Sequence, residues 1–126
     1  MIETTPYAEL LRLRFEDGPD GQPLVTLPWH ADVMGRPMYL HGGAIAGLLE
    51  FAAFATLTRA TGMADSQLKP ITVTVDYLLG GKPVDTFAYG KIERLGANVA
   101  NVEAYAWQTV RDTPIASCRI NFLLDR

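Results

Sequence analysis

The chain has little cysteine, little histidine and no excess of positive charge. Its single cysteine, Cys118, excludes an intramolecular disulfide framework. The two histidines, His30 and His41, are isolated from one another and from Cys118, so metal-ligand spacing is missing and we expect no metal site. Eleven Lys and Arg stand against 14 Asp and Glu, which gives a net charge of −3 and argues against a nucleic-acid partner.

The sequence predicts neither a targeting segment nor a membrane-spanning one. Residues 1–6 have neither the basic region nor the apolar core of a signal peptide, which predicts a cytoplasmic location. The most apolar stretch, residues 44–57, is shorter than the ~20 residues that a bilayer requires, so we expect no membrane association.

What the chain does have is an excess of apolar residues. Of its 126 residues, 48% are hydrophobic, and the mean hydropathy is +0.08. The length predicts a single domain over residues 1–126. A domain of this size buries a limited share of its surface, so the excess predicts a subunit interface.

Short local patterns predict the N-terminal elements. Thr5 and Pro6 are typical of an N-cap and first helical position, which predicts a short helix over residues 7–10. Apolar residues alternate with charged ones over residues 11–16, which predicts a strand that pairs with residues 24–27 in a hairpin.

The remainder of the chain predicts one helix followed by strands. Residues 44–57 are apolar almost all round, which is typical of a buried helix, and Gly62 would end it. Strand patterns separated by turn residues predict an antiparallel meander. These strands are residues 71–77, 86–93, 99–110 and 115–124. The economical fold is α+β, with one curved antiparallel sheet wrapped around one long central helix.

The central helix carries an isolated carboxylate. Glu50 is the only ionisable residue between Gly42 and Thr58, and burial would raise its pKa toward the range useful for acid–base chemistry. A carboxylate held in a purely structural network is the alternative. His41, Gly42 and Gly43 precede the helix, where free N–H groups and the helix dipole favour an anion or the oxyanion of an attacked carbonyl.

The spacing of these groups predicts a shared site. Gly42 and Glu50 are eight residues apart, about 12 Å along a helix. If two central helices pack antiparallel in a dimer, Glu50 of one chain meets Gly42 of the other.

These residues resemble the hotdog-fold acyl-CoA thioesterases, in the branch of the phenylacetate-pathway and 4-hydroxybenzoyl-CoA enzymes. The segment from His41 to Glu50 is similar to that family's H-G-G-x-x-x-x-L-x-D/E motif. Residues 74–78 resemble the strand that the family places after the helix, and length and element order agree over nearly the whole chain.

The resemblance implies hydrolysis of an acyl-CoA thioester by a dimer, or a homotetramer built as a dimer of dimers, without a cofactor. Glu50 would be the general base on water or the nucleophile. Gly42, with Gly43 as a further candidate, would donate N–H to the thioester carbonyl. His41 would hold the loop or touch the carbonyl.

Other residues are candidates for substrate contacts. Phe51 and Phe54 belong either to the core or to the wall of an acyl pocket. Asp76 either makes structural hydrogen bonds or contacts substrate. Lys82 and Arg94, together with Lys91, are candidates for the CoA nucleotide, with a solvated charge as the alternative for each.

Three departures from the family pattern keep other functions open. Gly35 stands where the family often has Asn or Gln, Leu79-Gly80 replaces Arg-Pro, and Gly96-Ala97 replaces Gly-Arg. The alternatives are a non-catalytic protein that binds acyl thioesters and a hotdog dehydratase acting on hydroxyacyl thioesters. The dehydratase pattern expects Pro-Gly before the helix and a shorter run to its Glu.

Overall fold

The computed structural model describes residues 5–126. Residues 1–4, on which part of the signal-peptide expectation rests, lie outside the described residues. The helices and strands, in chain order, are α1 (Pro6–Leu11), β1 (Arg14–Asp17), β2 (Pro23–Leu27), α2 (Gly42–Thr61), β3 (Leu68–Tyr77), β4 (Thr86–Leu95), β5 (Val99–Trp107) and β6 (Ala116–Leu124).

The strands form one antiparallel sheet in the order β1-β2-β4-β5-β6-β3, curved around α2. The predicted sheet and central helix are therefore confirmed. The predicted meander is confirmed for β4, β5 and β6 but is wrong for β3, which pairs with β6 at the far edge.

The segment after β3 explains this strand order. The Leu78 and Leu79 N–H groups both donate to the Ile115 carbonyl, and the Lys82 N–H donates to Oε1 of Gln108, just beyond β5. Residues 78–85 therefore cross the ends of β6 and β5 instead of turning back in a hairpin. Turn residues signal that the chain leaves a strand, but they do not specify which strand it joins next.

The N-terminal helix is capped as predicted, but the strand after it begins later than predicted. The Thr5 side chain caps α1 by accepting from the Ala8 N–H, and Pro6 is the first helical residue. The strand predicted from residue 11 is wrong at its start, because Leu11 is the last residue of α1. Arg12 ends the helix in the left-handed conformation with φ 59°, and β1 begins at Arg14. Leu11 is 3% exposed, and burial of its side chain favours the helical turn over a half-exposed strand.

The helix α2 packs against β2, β4, β5 and β6 and is longer than residues 44–57. It ends at Gly62, whose φ of 71° suits glycine and whose N–H donates to the Thr58 carbonyl. By length and composition alone α2 could cross a membrane, but 56% of its most apolar window is buried inside this one protomer. Its contacts are those of a core helix.

The helix and the sheet approach one another closely at Gly90 of β4. A Cβ atom there would lie 2.6 Å from Oγ1 of Thr56 and 3.0 Å from the Ala52 carbonyl oxygen. The absence of a side chain at Gly90 therefore sets how deeply α2 lies in the sheet.

We expect Gly90→Ala to destabilise the protein by about 1–3 kcal/mol, because the added methyl group overpacks this contact. Urea unfolding measures the change. Gly18→Ala is the matched control, since a Cβ there meets neighbours no closer than 3.4 Å. Equal stability of the two variants would contradict this account of the packing.

Candidate active site

His41 forms the N-cap of α2 and uses its own ring to do so. Its Nδ1 atom accepts from the Gly43 N–H at 2.9 Å. Its backbone N–H donates to the Val33 carbonyl at 2.8 Å, and its carbonyl accepts from Ala44 and Ile45. His41 is therefore held through its ring, its backbone N–H and its carbonyl. The Gly43 N–H already has an acceptor in the His41 ring.

The Gly42 N–H is placed differently from that of Gly43. It makes no hydrogen bond with any residue in the described part of the chain, although it lies at the positive end of α2. The Gly42 carbonyl accepts from the Tyr77 hydroxyl at 2.9 Å. Tyr77 is a residue that sequence reasoning missed, because its strand was recognised but the reach of its hydroxyl was not.

Glu50 lies two turns further along α2. Its side chain is half-buried, and burial alone raises the pKa of its carboxyl group above the ordinary value. We find no hydrogen bond or ion pair to it from residues 5–126, so it is not part of a structural network within the protomer. Nearby Cys118 is 2% exposed; burial and, to a lesser extent, the negative charge of Glu50 raise the pKa of its thiol to about 12.

One face of α2 is left partly uncovered by the sheet. Gly43, Ala46, Glu50 and Phe54 are exposed or half-buried, and their spacing places them on one side of the helix. We call these four residues the open stripe. The Tyr77–Gly42 hydrogen bond ties the start of α2 to β3, so the open stripe faces the β3 edge of the sheet.

The two candidate aromatic residues point to different neighbours. Phe54 meets Phe122 of β6 edge to face, with ring centroids 5.0 Å apart. Phe51 instead contacts Tyr7 and Phe15 near the N-terminus. Within a protomer they do not form one wall.

Asp76 is separated from the helix start although it neighbours Tyr77. Val75 and Tyr77 face α2, because Val75 pairs with buried Cys118 and packs on the core. Asp76 pairs with Ser117 and alternates to the outer face of the sheet. The structure therefore does not bring Asp76 to the side of His41 and Glu50 within one protomer.

Lys82 lies on a groove that begins at the helix start. A cavity of about 300 Å³ includes Gly42, Tyr77 and Leu79, and it adjoins a second cavity of about 670 Å³ that reaches Lys82. Both cavities are lined by Tyr39, Leu79 and Gly80. The exposed Lys82 thus stands at the outer end of a mostly apolar groove.

Arg94 is distant from this groove. Phe87 of β4 pairs with Trp107, which precedes Gln108 in the lining of the groove. Arg94 is seven residues further along β4 than Phe87, about 23 Å at about 3.3 Å per residue. Lys91 is exposed and lies 3.7 Å from Glu93 as an ion pair. Lys82 and Arg94 therefore do not converge on one group in a single protomer.

The model of the thioesterase superfamily matches residues 38–123, which include the helix start, Glu50 and four of the strands. The chain belongs to the thioesterase superfamily. The resemblance in the sequence and the predicted hotdog fold are both confirmed.

Solved structures of several bacterial proteins share this architecture. A Chromobacterium violaceum protein is 32% identical, with a TM-score of 0.77, and the match covers 96% of this chain and 84% of the other. A Bacillus halodurans protein solved with CoA is 23% identical, with a TM-score of 0.85 and coverage of 98% and 80%. A Ralstonia eutropha protein related to phenylacetic acid degradation is 15% identical, with a TM-score of 0.79 and coverage of 97% and 92%. Among curated proteins, the chain has no significant match.

The surroundings of Gly35 leave no room for the Asn or Gln side chain that the resemblance would place there. A Cβ atom at Gly35 would lie 2.9 Å from Cα of His41. An Asn or Gln at this position would therefore require the backbone to move.

We expect Glu50→Gln to raise the free energy of unfolding at neutral pH. A carboxyl group whose pKa is raised by folding stabilises the folded state below its unfolded pKa and loses that contribution as pH rises through the folded value. The difference between variant and wild type should therefore shrink as pH falls toward about 4. Urea midpoints across this range measure it.

The matched control is Glu16→Gln, an exposed carboxylate on β1. It should leave the midpoints nearly unchanged. A Glu50→Gln protein that is less stable than wild type at neutral pH would mean that the carboxylate has a stabilising partner.

Proposed function

We propose that this protein hydrolyses an acyl-CoA, or a related acyl thioester, to a free acid and a thiol. The observation that carries the proposal is the pairing of two unused groups on one helix. The Gly42 N–H has no acceptor and the Glu50 carboxylate has no partner within residues 5–126. A donor for a developing oxyanion and a base for water are the two groups that thioester hydrolysis requires.

The two groups must come from different protomers. At about 1.5 Å per residue, Gly42 and Glu50 are about 12 Å apart along α2, whereas both must lie within about 3 Å of the reacting atoms. A two-fold dimer would bring Glu50 of one protomer to Gly42 of its partner.

The exposed edge of the sheet supports such a dimer. Ile71 is 59% exposed, Val73 43% and Tyr77 55%, although β3 lies beside the apolar core. The strand also has a free edge, since β6 is its only partner in the described part of the chain. An unprotected edge strand with exposed apolar residues is a surface that proteins cover.

The register of this dimer follows from the helix. Gly42 lies beside Tyr77, and about 12 Å along α2 corresponds to three or four residues of β3, so Glu50 lies near the level of Val73. Tyr77 of one protomer must therefore pair with Val73 of its partner, which places the two-fold axis near Val75. Both residues face α2, so this register keeps the two helices on the same side of the joined sheet.

In the proposed reaction the Gly42 N–H of one protomer holds the thioester carbonyl oxygen. Glu50 of the partner takes a proton from water as the water oxygen attacks the carbonyl carbon. The negative charge on the tetrahedral intermediate is stabilised by Gly42 and the positive end of α2. The C–S bond then breaks, and the thiolate takes the proton from Glu50. A raised carboxyl pKa suits this shuttling of a proton. Direct attack by Glu50, with an anhydride intermediate, is the variant of this route.

The groove to Lys82 would hold the thiol-bearing half of the substrate. It starts at Gly42, is mostly apolar, and ends at an exposed cation that suits a phosphate. The Bacillus halodurans structure with CoA supports a CoA thioester as the substrate class. Phe54, on the open stripe beyond Glu50, would contact the acyl group.

We expect thiol release from at least one member of an acyl-CoA panel. Glu50→Gln should lower kcat by about 10²–10⁴-fold, because the base is lost while shape is kept. Glu16→Gln is the control and should match wild type. Binding without thiol release would instead favour the non-catalytic protein, and hydration of an enoyl-CoA without thiol release would favour the dehydratase.

The Gly42 N–H can be removed without removing the backbone that carries it. Gly42 is the first residue of α2, where proline is tolerated, and the preceding His41 has φ −67° and ψ 132°, which suit a following proline. We expect Gly42→Pro to lower kcat by about 10²–10³-fold. Gly42→Ala keeps the N–H, and its Cβ would meet the Tyr77 ring at an ordinary 3.4 Å, so it should remain active. Equal loss in both variants would count against the role of the N–H.

Mixing two inactive variants tests the shared site. In a mixed dimer of Glu50→Gln and Gly42→Pro, one site would have both wild-type groups and the other would have neither. Random mixing should restore about a quarter of wild-type activity, since half the dimers are mixed and half their sites are intact. No restoration in dimers shown to be mixed would place both groups of a site in the same chain.

A further inference from the structure

A continuous chain of hydrogen bonds runs from β3 to the His41 ring. The Tyr77 hydroxyl donates to the Gly42 carbonyl at 2.9 Å, and the N–H of the same peptide unit, on Gly43, donates to His41 Nδ1 at 2.9 Å. We propose that Tyr77 is a positioning residue that holds His41 in the tautomer with its proton on Nε2.

The Gly42–Gly43 peptide unit can transmit this effect. Its C–N bond has partial double-bond character, so a proton donor on the oxygen draws electron density from the nitrogen and strengthens the N–H as a donor. The peptide plane is also held at both ends, by Tyr77 on one side and His41 on the other. Loss of the Tyr77 hydroxyl would therefore weaken the bond to Nδ1 and loosen the ring.

The tautomer follows from the direction of the bond to the ring. Because a backbone N–H can only donate, Nδ1 of His41 must be unprotonated, and the neutral ring then carries its proton on Nε2. The other tautomer would set two donors against each other. His41 is exposed, so its Nε2–H is free to donate outside the cap.

The consequence for catalysis rests on the proposed function. His41 adjoins Gly42, whose free N–H faces the proposed carbonyl site. A fixed Nε2–H would add a second donor to the oxyanion, and Tyr77 would keep this donor oriented without touching substrate. Such preorganised donors contribute most when they need not rearrange during the reaction.

Tyr7 offers a matched control on the next peptide unit. Its hydroxyl donates to the Gly43 carbonyl at 3.2 Å. The N–H of that peptide unit belongs to Ala44 and donates to the His41 carbonyl, not to the ring. Tyr7→Phe therefore removes a similar bond from the same helix end and leaves the path to Nδ1 intact.

The tautomer can be measured without substrate. Long-range ¹H–¹⁵N correlation spectra at pH about 8.5, where histidine is neutral, distinguish the two ring nitrogens. We expect wild type and Tyr7→Phe to show Nε2–H at His41, and Tyr77→Phe to show a shift toward mixed tautomers. His30, whose Nε2 lies 3.0 Å from the buried Leu11 carbonyl, is the internal reference and should not change. An unchanged His41 pattern in Tyr77→Phe, or an equal change in Tyr7→Phe, would overturn the proposal.

Kinetics test the consequence. Phenylalanine keeps the Tyr77 ring, so the oligomeric state should not change, and the melting temperature should change no more than in Tyr7→Phe, which loses a similar hydrogen bond from the same helix end. We expect kcat to fall about three- to ten-fold in Tyr77→Phe with KM unchanged, as for the loss of one indirect hydrogen bond. An unchanged kcat would remove the catalytic part of the proposal. If wild type hydrolyses no thioester, the proposed function fails, whereas the spectra still decide the role of Tyr77.

Discussion

The structure depends on burying a helix that is apolar on almost every side. A sheet can cover a helix only from one direction, and the six strands curve around α2 as far as β3 on one edge and the β1–β2 hairpin on the other. Because Gly90 has no side chain, α2 can approach the sheet closely at Thr56. The open stripe is the part of the helix surface that the sheet does not cover. The open stripe includes Ala46 and Phe54, and partly exposed apolar surface is commonly covered by a further element or protomer. The exposed apolar residues of β3 border that stripe, and so the same constraint that shapes the fold also specifies where a second protomer would lie.

Features of the fold that are encoded locally could be predicted from the sequence. The Thr5-Pro6 cap, the helix ending at Gly62 and the strands of the β4–β6 meander each depend on residues within a few positions of one another. The place of β3 could not be predicted this way, because it depends on residues 78–85 bonding to Ile115 and Gln108, more than 20 positions away. Alternation also failed at Leu11, where burial against the core favoured another helical residue.

The candidate site shows the same division. The motif from His41 to Glu50 was visible in the sequence, because all its residues lie on one helix and its cap. The sequence could not show that the Gly43 N–H donates to the His41 ring, which leaves the Gly42 N–H without an acceptor among the described residues. The alternation along residues 71–77 does place Asp76 on the polar side of its strand, and the pairing of Val75 with buried Cys118 agrees with it. The sequence could not show that the Tyr77 hydroxyl reaches the Gly42 carbonyl, because that bond joins residues 35 positions apart.

In the proposed dimer, the position of Glu50 would couple the chemistry to the assembly. A half-buried carboxylate without a partner among the described residues costs stability. Covering the stripe with a second protomer would remove more water from Glu50 and so favour a raised pKa, whereas the positive end of the partner's α2 would act in the opposite direction. The dimer would also supply the Gly42 N–H and helix dipole that stabilise negative charge nearby. In the proposed dimer, the burial that makes the carboxylate costly would also bring it to the Gly42 N–H of the partner, where it could act as a base on a bound thioester.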